Sequence, residues 1–534
     1  MWNIADLFEE IAARIPDEPA VIDRGHLLTW AGFVERGEAL AADLVGRGVS
    51  EGGRVGVGLH NSAEYLISYL ACFQSRCVPF NINYRYNARE VRYLVDDAGA
   101  EALIVDDDYV PVVLEATSMD RGRRPIVYGL DHGCLPAGVI SLGDALRGGS
   151  RVEASRGTRQ PEDEMFLYTG GTTGMPKAVV WQQSTLVELL AGAVTAESAA
   201  AKEDPSAIVE QVATRTRLRS LPAAPLMHAT GLLSQFANLM AGGCTILAGG
   251  RSFVASSFLQ AAAEDRANIL VFVGDAFGRP IVEELDRRPG RYDLSALQGI
   301  TSSGAMWSRP VKEALLRHLP QIRLYDAYGA SEGSGLGVSL AAPGEALQTA
   351  SFVPGPRTVI LDEDNRLITP RPGVVGRIAI RPPIPLRYHG DPERSARVFP
   401  TIEGQRYSVP GDYIRVGDSG AIELLGRGAS CINSGGEKIY PEEIEEVLKE
   451  HPAVNDVGCV GIPDLRFGQA VCVIVEPVPG QSPSDSELIA FVKARVARYK
   501  APRSVIRVAS LERLPNGKVD RRHLAEVAGQ GPSS

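Results

Sequence analysis

The chain has 534 residues, 44% of them hydrophobic, and a formal net charge of -10. Such a length allows more than one buried core, and an acidic balance with scattered basic residues excludes nonspecific nucleic-acid binding as the main task. No apolar run is long enough to span a bilayer, and the seven cysteines are far apart with no CxxC pair, which points to reduced thiols in a cytoplasmic protein and to no zinc site.

The first stretch, "MWNIADLFEEIAARIPDEPAVID", has helical rather than signal-peptide spacing, with Ile4, Leu7, Phe8 and Ile11 on one face. From Leu28 to about Val105, amphipathic patterns such as "SAEYLISYLACFQSRC" alternate with short apolar runs such as "RVGVGL" and "ALIVDD", which predicts α/β layers. A polar stretch leads into "YTGGTTGMPKAVVW", and the alternation resumes through "NILVFVG", "GITSSGA" and "IRLYDAYG". Beyond about Ser351 the texture changes to Pro, Gly and short alternating strands, "RTVILDED", "VGRIAIRPP" and "DYIRVGD", which predicts an antiparallel β-rich subdomain over about 351–426. A compact α+β block follows "LGRG"; it holds the helix "YPEEIEEVLKE", a helix opened by a capping box of Ser484 and Glu487, and the segment "LPNGKVDRRHL". The expected division is a large domain 1–426 and a small domain 427–534.

Between its apolar flanks "YTGGTTGMPKAVVW" reads as a short loop. Gly170, Gly171 and Gly174 permit backbone angles other residues avoid, so N–H groups can converge on one point. Ringed by the hydroxyls of Thr169, Thr172 and Thr173 and the cation of Lys177, such a nest suits phosphate oxygens. Glycines alone would indicate an ordinary tight turn. The stretch is no Walker loop, since Pro176 precedes the lysine and Ala178 follows it, and "AVVW" continues as a strand rather than opening the helix of a dinucleotide fold.

"TGGTTGMPK" resembles the signature of the adenylate-forming (ANL) superfamily, which includes acyl-CoA synthetases, and further motifs of that family follow in order over nearly the whole chain. The resemblance implies a large N-terminal domain of α/β layers with a β-rich subdomain, and a small mobile α+β C-terminal domain turning on a hinge near Arg427 and Ala429. In "YDAYGASEG", which spans Asp326, Ala327, Tyr328, Gly329, Ser331 and Glu332, it implies that Tyr328 stacks a base, Ser331 bonds a phosphate and Glu332 holds Mg²⁺. Ser303, Gly304 and Ala305 would line the adenine site, and Asp412 and Arg427 would reach the ribose. Gly435, Gly436, Glu437 and Lys438 would meet the pantetheine arm of coenzyme A, and Lys518 would be the mobile lysine of adenylation. Taken singly, Glu332 reads as an exposed loop acid, Asp412 as a turn residue and Lys518 as a surface lysine.

The reaction implied is an attack of a carboxylate on the ATP α-phosphate, then displacement of AMP by the CoA thiol, with Lys518, Lys177 and Mg²⁺ offsetting negative charge. His228 in "APLMHATG" lies beside the acyl pocket in acyl- and aryl-CoA ligases, and no aspartate stands there to meet an amino-acid ammonium; its alternative is a histidine capping a loop. "VGDAFGRP" and "TSSGAMWS" resemble actinobacterial ligases for steroid side-chain and polycyclic terpenoid acids, so Phe272, Ala276, Phe277, Met306 and Trp307 are pocket candidates and equally core candidates. Ala178 departs from the family's glycine, and a methyl group there would crowd the phosphate loop. Three readings stay open: a complete acyl-CoA ligase, or one that mainly thioesterifies an acyl-adenylate from a second adenylating enzyme; an enzyme that loads a carrier-protein thiol; and a noncatalytic nucleotide-binding protein. A homodimer is also left open.

Overall fold

The computed structural model describes residues 3–118, 124–130, 133, 135–148, 158–171, 174–194, 206–305, 307–345, 350–427, 432–434, 437–464, 468–496, 498–514 and 517–529. Cys134, Thr172, Thr173, Met306, Ala429, Cys431, Gly435 and Gly436 lie outside the described residues. The chain forms two compact units, one of residues 1–272, 284–301 and 383–399, the other of residues 273–283, 302–382 and 400–534. The break expected at 426/427 falls within the second unit.

In the first unit the amino-terminal helix Ile4–Arg14 forms as its spacing predicts, and Ile4, Leu7, Phe8 and Ile11 are all buried. Asn3 opens it by accepting the Ala5 N–H at 2.8 Å, which satisfies one orphan donor of the first turn. Strands Arg54–Gly58, Val78–Asn81, Ala100–Val105, Ile126–Gly129 and Val139–Ser141 run parallel in one sheet, as helix–strand alternation requires. Beyond Val78–Asn81 the sheet continues with Glu164–Gly171, then the antiparallel Gly174–Gln182, and ends on Arg387–Tyr388. One face is closed by helices Ala88–Ala98 and Val110–Ser118 over Phe80, Leu103, Phe166, Tyr168 and Val180. Four further strands, Pro19–Asp23, Cys244–Leu247, Arg219–Pro222 and Ile269–Phe272, are also parallel to one another.

The second unit carries an antiparallel run in the order Arg323–Ala330, Gly333–Ala341, Ser351–Pro354, Ile422–Arg427, Asp412–Val416, Val375–Ile380, Thr358–Leu361, Leu367–Ile368. Antiparallel structure therefore starts at Arg323 rather than near Ser351. "IRLYDAYG" turns straight back into "GSGLGVSLA", whose glycines hide the period-two pattern that would have announced a strand. The α+β block forms as expected. Val454–Asp464 pairs antiparallel with Gly468–Pro477, Ser504–Arg507 adds in parallel, and the Ser484 capping box is present, with Glu487 N–H donating to Ser484 Oγ at 3.2 Å. Cys72, Cys77, Cys244, Cys459 and Cys472 are free and buried. Burial pushes their thiols up, Cys77 to about 11, so these are packing groups rather than nucleophiles.

Candidate active site

In the first unit the glycine-rich stretch is the tip of a hairpin. Glu164–Gly171 and Gly174–Gln182 pair with Thr169 opposite Lys177 and Gly171 opposite Gly174. Thr169, Gly170 and Gly171 therefore end a strand, where the sequence suggested an open loop, because backbone pairing with the returning strand continues to the tip. Gly170 itself has no register partner: it falls at the shift between Thr169 and Gly171, an irregularity of the kind that glycine accommodates in a strand.

Lys177 Nζ lies 3.6 Å from Asp97 Oδ1 and 5.7 Å from the centre of the Tyr93 ring. A hydrogen bond with the Tyr93 hydroxyl, and then the Asp97 charge, hold its ammonium above the ordinary lysine range against partial desolvation. Asp97 Oδ2 also accepts the Tyr168 hydroxyl at 2.7 Å, and that phenol is raised by burial first and by Asp97 second. Asp97 is thus the common anchor of Tyr168 and Lys177. Its one sequence signal is an acid in the last turn of the helix Ala88–Ala98, where the helix dipole disfavours negative charge.

Ala178 is buried in the apolar interior of the first unit. It stands opposite Tyr168, has no exposed surface, and belongs to the apolar cluster with Phe80 and Val180; its carbonyl accepts the His389 N–H at 2.9 Å.

His228 occupies the cap position of the helix Ala229–Met240, and its side chain makes no capping hydrogen bond to that helix. The loop ahead of it is held from outside: Asn61 Oδ1 accepts the Leu226 N–H at 2.7 Å, and Asn61 Nδ2 donates to Ala224 O at 3.1 Å. Asn81 Nδ2 donates to Met227 O at 2.8 Å. The helix also comes close enough to the loop that a Cβ on Gly231 would stand 2.3 Å from Pro225 O, so glycine is required there. Phe272 ends the strand Ile269–Phe272, fully buried.

In the second unit Tyr328 and Asp412 meet. The phenol donates to Asp412 Oδ2 at 2.9 Å, both groups are buried, and the ring packs against Phe352 with centres 5.2 Å apart. Asp412 is also the register partner of Arg427 on the next strand. Ala327 and Gly329 flank the tyrosine, and Ser331 and Glu332 form the turn after it. Glu332 is buried, and its carbonyl accepts the Ser408 hydroxyl at 2.5 Å. Ser303 ends a strand, and the backbone turns at Gly304, φ +90°, into Ala305.

The Asp326 carboxylate goes to a partner the sequence did not announce. Lys312 Nζ lies 2.6 Å from its Oδ2, both groups are buried, and the same ammonium stands 5.3 Å from the centre of the Trp307 ring. Burial raises the Asp326 carboxyl and the Lys312 charge opposes that. Trp307 and Phe277 are buried, while Ala276 is exposed.

Lys518 is exposed on a turn in which Gly517 N–H donates to Leu514 O at 2.8 Å and Leu514 N–H to Lys518 O at 2.9 Å. Arg513, paired with Asp456, clamps the turn by donating to Gly517 O at 2.9 Å. Gly517 has φ +78°, and a Cβ there would come within 3.1 Å of Ala276 Cβ. The turn that carries the expected adenylation lysine therefore packs, through Gly517, against a residue of the expected acyl motif. Glu437 and Lys438 lie on the strand Glu437–Ile439, paired with Ile432–Ser434.

Residues 8–387 match the AMP-binding enzyme family, and residues 443–518 match the AMP-binding enzyme C-terminal domain. A medium/long-chain-fatty-acid–CoA/3-oxocholest-4-en-26-oate–CoA ligase of Mycolicibacterium smegmatis is 36% identical, covering 99% of this chain and 97% of its own length. A 3-oxocholest-4-en-26-oate–CoA ligase of Rhodococcus rhodochrous is 34% identical over the same shares of the two chains. Among solved structures, the anthranilate CoA ligase AuaEII in complex with anthranoyl-AMP superposes with a TM-score of 0.82 at 21% identity, covering 99% of this chain and 98% of that one. ATP-bound MatB from Rhodopseudomonas palustris gives 0.79 at 23% identity, covering 98% and 99%. The ANL fold is common to these structures, and with family matches that take in both the hairpin at Thr169 and the turn at Lys518, the chain belongs to the AMP-binding enzyme family, among its AMP-forming acyl-CoA synthetases.

Proposed function

We propose that this chain activates a bulky hydrophobic carboxylic acid, steroid- or diterpenoid-like, as an acyl-adenylate and then transfers the acyl group to coenzyme A. The observation that carries the nucleotide half of this reading is the 2.9 Å bond between Tyr328 and Asp412. It joins an aromatic ring able to stack a base to a carboxylate able to accept ribose hydroxyls. The two relatives named for a steroid acid support the substrate class. So does the absence of an aspartate from "APLMHATG", where an amino-acid substrate would need a counter-charge.

In the first step a carboxylate oxygen bonds to the α-phosphorus as the bond to pyrophosphate breaks. In the second, the CoA sulfur bonds to the acyl carbon, AMP leaves with the electron pair, and the thiol proton is released. The chain's work is positioning and charge neutralisation. Lys177 faces the phosphates from the hairpin, where Gly170, Gly171 and Gly174 leave the backbone open to them. Lys518 meets the incoming carboxylate, and Arg427 and Asp412 hold the ribose. His228 flanks the acyl group, and Gly435 and Gly436 admit the pantetheine arm after the small domain, 427–534, turns near Ala429. The donor chemistry of Glu332 fits Mg²⁺, which binds through one or two carboxylates plus phosphate oxygens and there neutralises phosphate charge. Among the described residues no helix is long and apolar enough to cross a membrane, in keeping with a cytoplasmic setting.

Mass spectrometry of products from Mg-ATP, CoA and a panel of fatty, aryl, steroid and diterpenoid acids tests the reading. Acyl-CoA with AMP is expected, largest for a polycyclic acid. AMP with acyl transfer to a carrier protein but not to CoA would replace it. The Ala178 methyl lies in the apolar core, which supports the reading in which this chain performs both half-reactions. Ala178→Gly should leave acid-dependent ATP–pyrophosphate exchange within about twofold and cost about 1 kcal/mol of stability. A tenfold gain in exchange would instead favour a chain that relies on a partner's acyl-adenylate.

A further inference from the structure

Asn81 ends the strand Val78–Asn81, whose pairing with Glu164–Gly171 is the single register pair Phe80 and Phe166. Past that point the Asn81 side chain takes over from the backbone. Its Oδ1 accepts the Tyr168 N–H at 2.7 Å and its Nδ2 donates to Tyr168 O at 2.9 Å, the two bonds a peptide group of a neighbouring strand would make. The same Nδ2 donates to Met227 O at 2.8 Å. Asn81 is buried, with both amide donors in use, so its loss leaves three backbone groups unpaired in the interior. These groups belong to two segments far apart in sequence. Tyr168 leads directly into Thr169 and the glycines of the hairpin tip, and Met227 directly precedes His228.

We infer that Asn81 is a positioning residue that sets the phosphate hairpin and the His228 loop with one amide, so that ATP and acid are bound in a fixed mutual relation. This rests on the ligase reading above. Asn61 provides the internal comparison, because its amide holds only the His228 side, through Leu226 and Ala224.

Steady-state kinetics of the full chain with ATP and the acid it turns over best separate the two. Asn81→Ala should raise the KM for ATP and the KM for acid by about tenfold each, and Asn61→Ala should raise the acid KM while moving the ATP KM less than about twofold. A merely structural role would lower the melting temperature and the active fraction with both KM values unchanged, and that result overturns the inference. A reading that needs no variant guards against an Asn81→Ala chain that does not fold: in the unmodified protein, AMP alone should slow hydrogen exchange in residues 222–228 as well as in 164–182. Protection confined to 164–182 overturns the coupling. If the unmodified chain makes no acyl-CoA, the ligase reading fails, and the exchange measurement with AMP still decides the coupling.

Discussion

Lys518→Ala is expected to slow acyl-adenylate formation by about 10²- to 10³-fold, the usual cost of removing one preorganised charge-stabilising group. Thioesterification of a supplied acyl-adenylate should stay within about threefold of the unmodified rate. The asymmetry follows from placement. Lys518 is an exposed ammonium on a turn held by Arg513 and seated against Ala276, so its loss removes a charge and little packing. In the proposed reaction that charge acts where a carboxylate approaches phosphate, a step absent when the adenylate is supplied. Lys518→Arg should recover only part of the rate, because a planar guanidinium does not reproduce a compact ammonium. Rapid-quench measurement of the separate half-reactions checks the prediction, and equal losses in both would remove Lys518 from the adenylation step.

The second large effect falls on stability. Asp326→Ala leaves the Lys312 ammonium in the interior without its carboxylate at 2.6 Å, facing the Trp307 ring. Breaking one side of a buried pair costs about 3–5 kcal/mol, and the melting temperature should fall by about 10 °C. Replacing both partners, Asp326→Leu with Lys312→Met, should recover most of that loss, since the uncompensated charge is gone. The strand carrying Asp326 also carries Tyr328, so the single variant should bind ATP more weakly while the double variant approaches normal binding. A loss below about 1 kcal/mol for the single variant would show that water reaches Lys312 and that the pair is not a structural tie.

Much of this was legible before any coordinates, for identifiable reasons. Local periodicity announces the helix Ile4–Arg14, and the motif around Tyr328 and the Asp in "PGDY" name two groups that the fold then brings into contact. What stayed hidden depends on partners distant in sequence. Asn81, Asn61 and Asp97 are ordinary polar residues at strand and helix ends, and their meaning lies in bonds to Tyr168, Met227 and Leu226. Asp326 sits in the nucleotide motif, and its carboxylate meets Lys312, on the helix Arg309–His318, a partner outside the motif's own strand. The antiparallel strand Gly333–Ala341 escaped because glycine carries no side chain from which a face can be read, and Gly170 and Gly171 hid the end of their strand in the same way.

The short strand Arg387–Tyr388 has a consequence for synthesis. It covers the outer edge of Gly174–Gln182, pairing with Val180 and Val179, although residues 302–382 of the other unit are made in between. While the ribosome lays down those intervening residues, the hairpin bearing the glycine-rich tip has one unpaired backbone edge. An uncovered edge is a template for association with another chain. Emergence of Arg387 and Tyr388 is therefore the moment at which the nascent first unit ceases to offer that edge to its neighbours on the polysome.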